Sequence, residues 1–397
     1  MPETVLTVYS QFEDQVFYRY YGNLILQQFP NVSFNLIQSQ AATPEEAAKD
    51  VMTYKPDLVM TWKSNFQELS KQGMLSDLTP FMKSGTLKEE DYYPEMIRGL
   101  KNEDNQLIGL SPLVNVYGVF YNKSLFDAKH IAYPSDRMSW EEILQLAKRF
   151  SGSGATGLMG RSPTGVLRDI VKAKGLTIID KQNDTLQFNQ TDWTAALRTV
   201  LELKPDQVQK GSEELFLQGK SAMYVGMLHM IPKLEQQAFN WGVVTTPVDG
   251  NARDYINDIF FNDIIGIPKE AVNKEIAWEI LQYIMSDDAV AYLQRNSNTG
   301  AVSTLMNRMN QQYGSVDLSA FWQQTIDDRP YLGRHVSSAF VDQFDGMMDT
   351  VLTEAAANNK SAEASLKEIE ARGQLIYQAE RSSAATEGTN ETEEERQ

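Results

Sequence analysis

The first sixty residues switch repeatedly between two periodicities, and that alternation leaves few folds open. Val5–Ser10 alternates apolar and polar residues as a half-buried strand does, and Gln11–Phe29 then carries helical spacing. Asn31–Gln38 reads as a second strand, with Val32, Phe34 and Leu36 on one side. Thr43-Pro44-Glu45-Glu46 is a strong helix start. The Thr43 hydroxyl can accept from a free backbone N–H, Pro44 suits the first turn, and Glu46 completes a capping box. Asp57-Leu58-Val59-Met60 follows Lys55-Pro56 as a short apolar strand. Strand, helix, strand, helix, strand predicts an α/β fold whose mainly parallel sheet is flanked by helices. In such sheets ligands sit beyond the carboxyl ends of the strands. Those ends are Tyr9-Ser10 and Thr61-Trp62.

Composition narrows the chemistry. At 397 residues the chain can form two or three domains, with 42% hydrophobic residues available for their cores. A net charge of −17 argues against a nucleic-acid partner, which demands a basic face. The absence of cysteine removes disulfides, thiolate nucleophiles and cysteine-based zinc sites together. His130, His229 and His335 are scattered, which disfavours a His-rich metal site. With no Gly-rich phosphate loop, HExxH or nucleophile elbow, no metal or cofactor is expected. No run approaches the ~18 apolar residues of a membrane helix, and Met1-Pro2-Glu3-Thr4 runs straight into VLTVYS without the pattern of a signal peptide. The acidic end, 381–397, lacks large apolar residues over 385–397 and is expected to be disordered.

Further along, Leu110–Phe150 reads LSPLVNVYGVFYNKSLFDAKHIAYPSDRMSWEEILQLAKRF. An apolar stretch ends in Val-Phe-Tyr-Asn-Lys-Ser-Leu-Phe, a Pro-containing loop follows, and a second capping box, Ser139 to Glu142, opens the amphipathic helix Trp140–Phe150. Earlier come Lys-Pro-Asp-Leu-Val-Met, Gln-Gly-Met-Leu-Ser-Asp-Leu-Thr-Pro-Phe and Asn105-Gln-Leu-Ile-Gly-Leu-Ser-Pro112. Later come Phe216-Leu-Gln-Gly-Lys-Ser-Ala-Met-Tyr-Val-Gly226 and Trp241-Gly-Val-Val-Thr-Thr-Pro247. Phe260–Pro268 reads as a return crossing, Ala271–Met285 as a helix, and Asn296-Ser-Asn-Thr-Gly300 as a turn.

In this order the segments resemble the extracellular solute-binding proteins of bacterial ABC importers, the sugar-binding family typified by maltose-binding protein. The likeness spans roughly residues 3–380. It implies a two-lobe periplasmic-binding-protein-like fold, with a ligand cleft between the lobes. Lobe 1 would comprise 1–112 and 263–310, and lobe 2 would comprise 113–262 and 311–380. It further implies a monomer that captures a carbohydrate, an oligosaccharide that could be acidic, and passes it to the membrane subunits of an ABC permease. The location implied is extracellular, lipid-anchored to the outer face of the cytoplasmic membrane through a cysteine outside this sequence. Two alternatives stand beside this reading. One is a glycosidase-like enzyme using carboxylates such as Glu141-Glu142 or Glu213-Glu214; the other is a sugar-sensing subunit for a histidine kinase.

Candidate ligand contacts follow from strand ends, crossings and loops. Trp62, Tyr9 and Ser10 lie at strand termini. Asn115 and Tyr117 share a face just past the first crossing, and Asp258, Phe260 and Asn262 alternate along the return. His229 falls where many relatives of the family place a sugar-stacking tryptophan, which Met227-Leu-His-Met-Ile lacks. Arg161, Tyr331 and Arg334 are candidates for an acidic sugar, because the guanidinium fork binds carboxylates. Pairing with neighbouring acidic residues such as Asp327 and Asp328 competes with that role.

Overall fold

The N-terminal alternation folds as a parallel ladder. β1 (Thr4–Ser10) pairs in parallel with β2 (Val32–Gln38) along its whole length and with β3 (Leu58–Thr61) from Val8 onward. In this computed structural model, residues 3–84, 87–180, 185–257, 259–261, 263–296, 301–309, 316–327, 336 and 338–394 are described. The chain divides into two compact units. The first comprises Met1–Tyr117, Met227–Glu235 and Asp258–Gln323; the second comprises Gly118–Gly226, Gln236–Asn257 and Gln324–Gln397.

In the first unit, strand Ile264–Gly266 adds antiparallel to the far side of β3, giving the order Ile264–Gly266, β3, β1, β2. Leu6, Val8, Leu58, Val59, Met60 and Ile265 are buried in the core of this sheet. The segment after β1, expected as one helix, is broken by a wider turn. Asp14–Phe17 (α1) and Asn23–Gln28 (α2) are α-helical, and Tyr18–Gly22 between them is a π-helix. Thr43 caps α3 (Pro44–Tyr54) as its sequence predicts: Glu46 N donates to Thr43 Oγ1 at 3.2 Å, and Thr43 N donates back to Glu46 Oε2 at 3.3 Å. After β3, Trp62 starts α4 (Lys63–Lys71).

Asp57, at the entry to β3, ties three parts of this unit together. It is 4% exposed and accepts from Thr7 N at 3.0 Å, Val272 N at 3.1 Å, Asn273 N at 2.9 Å and Asn273 Nδ2 at 3.1 Å. The Lys-Pro-Asp signature is thus explained by backbone satisfaction: a buried carboxylate is tolerated because donors surround it.

Strand β4 (Leu113–Asn122) carries the division between the units, between Tyr117 and Gly118. Its first half pairs antiparallel with Ile259–Phe261 and Val302–Ser303, and its second half pairs antiparallel with Trp241–Thr245. Each half is thereby tied by backbone hydrogen bonds to a different set of strands. The boundaries read from sequence lay at 112/113, 262/263 and 310/311; those of the structure lie at 117/118, 257/258 and 323/324, and 227–235 joins the first unit.

The second unit orders its strands Trp241–Thr245, β4, Ser221–Met227, Thr156–Met159 and Val208–Gln209. Helix Trp140–Lys148 packs on Thr156–Met159, and only glycine fits at 157, where a Cβ would come within 2.3 Å of the Ala147 carbonyl oxygen. The Ser139–Glu142 capping box forms, and Glu142 also accepts two hydrogen bonds from the Arg253 guanidinium, at 2.8 and 3.0 Å. Helices Ser338–Asn358 and Ala362–Glu394 pack on each other and on Gln190–Leu201. The last helix continues through Glu394, into the stretch expected to be disordered.

Replacing Asp57 with alanine strands the Thr7, Val272 and Asn273 backbone donors. Urea denaturation of Asp57→Ala should show a loss of about 3 kcal/mol, against about 1 kcal/mol for the cap variant Thr43→Ala. Equal effects would contradict the structural role given to Asp57.

Candidate aromatic binding site

The carboxyl ends of β1 and β3 point the chain toward one cavity of about 550 Å³. All of its lining residues belong to the first unit. Past β1, Ser10 is fully buried and its Oγ accepts from Phe12 N at 3.0 Å, which fixes the turn that presents the Phe12 ring. Past β3 comes Trp62, whose backbone is extended and whose side chain takes no part in capping α4. Its indole is 59% exposed and lines the cavity with Lys63 and Ser64. The π-turn supplies Tyr20 and Tyr21. A π-turn widens the helix and re-aims its side chains, which is one reason such turns recur at functional sites. Phe12 lies 6.4 Å from Tyr20 and 6.3 Å from Tyr21, ring centre to ring centre.

The opposite wall comes from the crossings. Asn115 of β4 stands directly across the ladder from Phe260, and both line the cavity. Tyr117 packs its ring 5.9 Å from that of Phe260. Phe261, Leu113 and Leu293 add apolar surface, and the Lys63 ammonium lies 5.7 Å from the centre of the Phe261 ring.

Between the strands Ile259–Phe261 and Ile264–Gly266 sits Asp263, 2% exposed and part of the cavity lining. Its Oδ1 accepts from Gln11 Nε2 at 2.9 Å and its Oδ2 from the Tyr21 hydroxyl at 2.7 Å. Full burial, and then the Asp263 carboxylate, hold the Tyr21 hydroxyl protonated well above the usual tyrosine range. The arrangement is chemically one of flat aromatic faces, an amide and a carboxylate. Among the described residues, no group of three or more His, Cys, Asp or Glu could hold a metal ion.

Of the residues singled out from sequence, Trp62, Asn115 and Phe260 line this cavity, and Tyr117 packs beside it. Ser10 supports Phe12 from beneath the turn. Tyr9 points elsewhere: its hydroxyl meets Ser39 at 2.6 Å and donates to Asp50 at 2.9 Å, and burial raises its pKa. His229 sits half-buried in the 3₁₀ turn Leu228–Met230 and is not part of the cavity lining. Arg161 belongs to the second unit, where Nε donates to Asp169 at 2.6 Å and Nη1 to the Gly160 carbonyl at 3.0 Å. Asp258, Asn262, Tyr331 and Arg334 lie outside the described residues. Sequence reasoning missed Phe12, Tyr20, Tyr21, Lys63, Phe261 and Asp263. Phe12 and Lys63 were within reach, because each lies two residues past a strand end.

The family described as bacterial extracellular solute-binding protein matches residues 26–309. Among solved structures, the sugar-binding protein MalE of Xanthomonas citri is 14% identical with a TM-score of 0.70, and the match covers 95% of this chain and 98% of that one. The ABC substrate-binding protein Lmo0181 of Listeria monocytogenes, solved with cycloalternan, is 15% identical with a TM-score of 0.64 over 95% and 99% of the two chains. The GacH receptor of Streptomyces glaucescens, solved unliganded and with acarbose, is 15% identical with a TM-score of 0.62 over 94% and 98%. These likenesses establish the shared α/β fold.

Tyr21→Phe removes one donor from a buried carboxylate and should cost about 2 kcal/mol near neutral pH. The wild-type advantage should then shrink in alkali. Above the ordinary tyrosine value of 10.0 the unfolded chain releases a proton that folded Tyr21 keeps, so stability falls as pH rises. Thermal unfolding of both proteins at pH 8 and pH 11 checks this, and a difference in Tm that grows with pH would refute it.

Proposed function

Because this chain belongs to the bacterial extracellular solute-binding protein family, we propose that it binds an oligosaccharide through the aromatic cavity of its first unit. Delivery to the membrane subunits of an ABC permease follows from that family role, with no bond broken in the bound sugar. The observation that carries the reading is Trp62, a largely exposed indole at a strand end, flanked by the buried amide and carboxylate of Asn115 and Asp263. Sugars present both apolar ring faces and hydroxyls; aromatic planes suit the first, and Asn115 and Asp263 suit the second. The Listeria and Streptomyces proteins, solved with cycloalternan and acarbose, support the same ligand class.

Binding without turnover is favoured over glycoside hydrolysis by the carboxylates. A glycosidase flanks the scissile bond with two of them. Among the described residues lining the cavity, Asp263 is the only one. Glu142 is engaged by its helix cap and Arg253, and Glu213 and Glu214 open the Ser212-capped helix Glu213–Leu217.

Isothermal titration with maltotriose, cellotriose and mannotriose should give saturable one-to-one binding of at least one of them, without release of new reducing ends. Trp62→Ala should weaken that binding by about 10-fold or more while leaving the melting temperature within about 2 °C of wild type. Turnover of the sugar, or unchanged affinity in Trp62→Ala, would overturn the proposal.

A further inference from the structure

We propose that Gly99, which is not itself part of the lining, sets the depth of the aromatic cavity and so which oligosaccharides it accepts. The inference rests on the carbohydrate reading above and names a specificity-determining position for it.

Three observations carry it. First, the edge of the Phe261 ring rests on Gly99. A Cβ added at position 99 would come within 3.0 Å of Phe261 Cζ and 3.2 Å of Cε2. Apart from its own helix and chain neighbours, it would meet no other atom of the described residues within 4 Å. Carbon atoms prefer a separation of about 3.5–4.0 Å, so this one ring must give way. Second, the backbone at Gly99 does not call for glycine. The residue closes the helix Pro94–Gly99, and its φ lies outside the positive range. Alanine is the better helix former in such a conformation. Space, and not conformation, is what glycine supplies here. Third, the ring has an open side toward which to yield. Phe261 stands across the ladder from Val114, which fixes its backbone, and at 9% exposure it is buried while forming part of the cavity wall. Buried surroundings are close-packed, whereas the cavity is open space. Over the ring, 5.7 Å from its centre, lies the Lys63 ammonium, which is the tip of a long side chain and also belongs to the lining. A side chain at position 99 therefore tilts Phe261 into the cavity and makes it shallower, and glycine keeps the depth that a sugar ring needs.

Crystal structures of the full chain and of Gly99→Ala should show the edge of the Phe261 ring displaced toward Lys63 by about 0.5 Å or more. Titration calorimetry uses whichever of maltotriose, cellotriose and mannotriose binds the wild type. Its affinity should fall about 5-fold or more in Gly99→Ala, with the melting temperature within about 2 °C of wild type. A double-mutant cycle separates positioning from general damage. Phe261→Leu should weaken binding by itself, but adding Gly99→Ala to it should change affinity by less than about 2-fold, because the ring edge that the new methyl meets is gone. An unmoved ring, an unchanged affinity in Gly99→Ala, or a 5-fold loss that persists beside Phe261→Leu would each overturn the inference and leave the carbohydrate reading intact. Failure of Gly99→Ala to fold would overturn it as well, since the ring then does not yield toward the cavity. If the wild type binds none of the three sugars, the carbohydrate reading falls, and the ring displacement still decides whether Gly99 sets the depth of the cavity.

Discussion

A carboxylate removed from water must be met by donors, and in the first unit Asp263 imposes that demand on segments far apart in sequence. Gln11 answers from the residue after β1 and Tyr21 from the helix that follows. Isolated burial of such a charge would cost several kcal/mol or would force its protonation. Meeting Asp263 therefore holds the turn after β1, the π-turn and the return crossing in one mutual arrangement. The aromatic cavity is the space these segments enclose together with Trp62 and β4. Its rings are placed by backbone choices, and those choices are coupled through this one buried group.

Much of the backbone was readable beforehand because it obeys local rules. The Thr43 and Ser139 capping boxes form as written, and the strands at 5–10, 31–38 and 57–60 appear within a residue or so. Trp62 was readable for a topological reason, since parallel strands deliver their following residues to one edge of the sheet. Asp263 was not, because its importance depends on partners more than 240 residues away in sequence, which no periodicity reveals. The π-turn was equally hidden: Tyr18–Gly22 has a helical pattern, and only tertiary contacts distinguish the wider turn from an α-helix.

Arg161 shows how a local partner competes with a functional reading. A guanidinium in a glycine-rich loop invites a functional reading, yet Arg161 is satisfied by Asp169 eight residues along the chain and by the carbonyl of Gly160. In a chain with 53 acidic residues, a local carboxylate partner is the more common fate of an arginine. Tyr9 is a parallel case. Its position at a strand end pointed toward ligand, but side chains alternate along a strand, and its hydroxyl is turned to Asp50 and Ser39.

Trp62 and Asp263 line the same cavity but are bound to the fold in very different degrees. The indole takes no part in the cap of α4 and lies mostly in solvent, whereas the carboxylate is buried and shared between two distant donors. Over evolutionary time these positions should drift at different rates. The exposed indole can be exchanged, lost or resized with little effect on folding, so closely related proteins can diverge there. The acidic position can change only if Gln11 and Tyr21 change with it. A lineage that reshapes this cavity should therefore change its exposed aromatic rim long before it changes its buried acid.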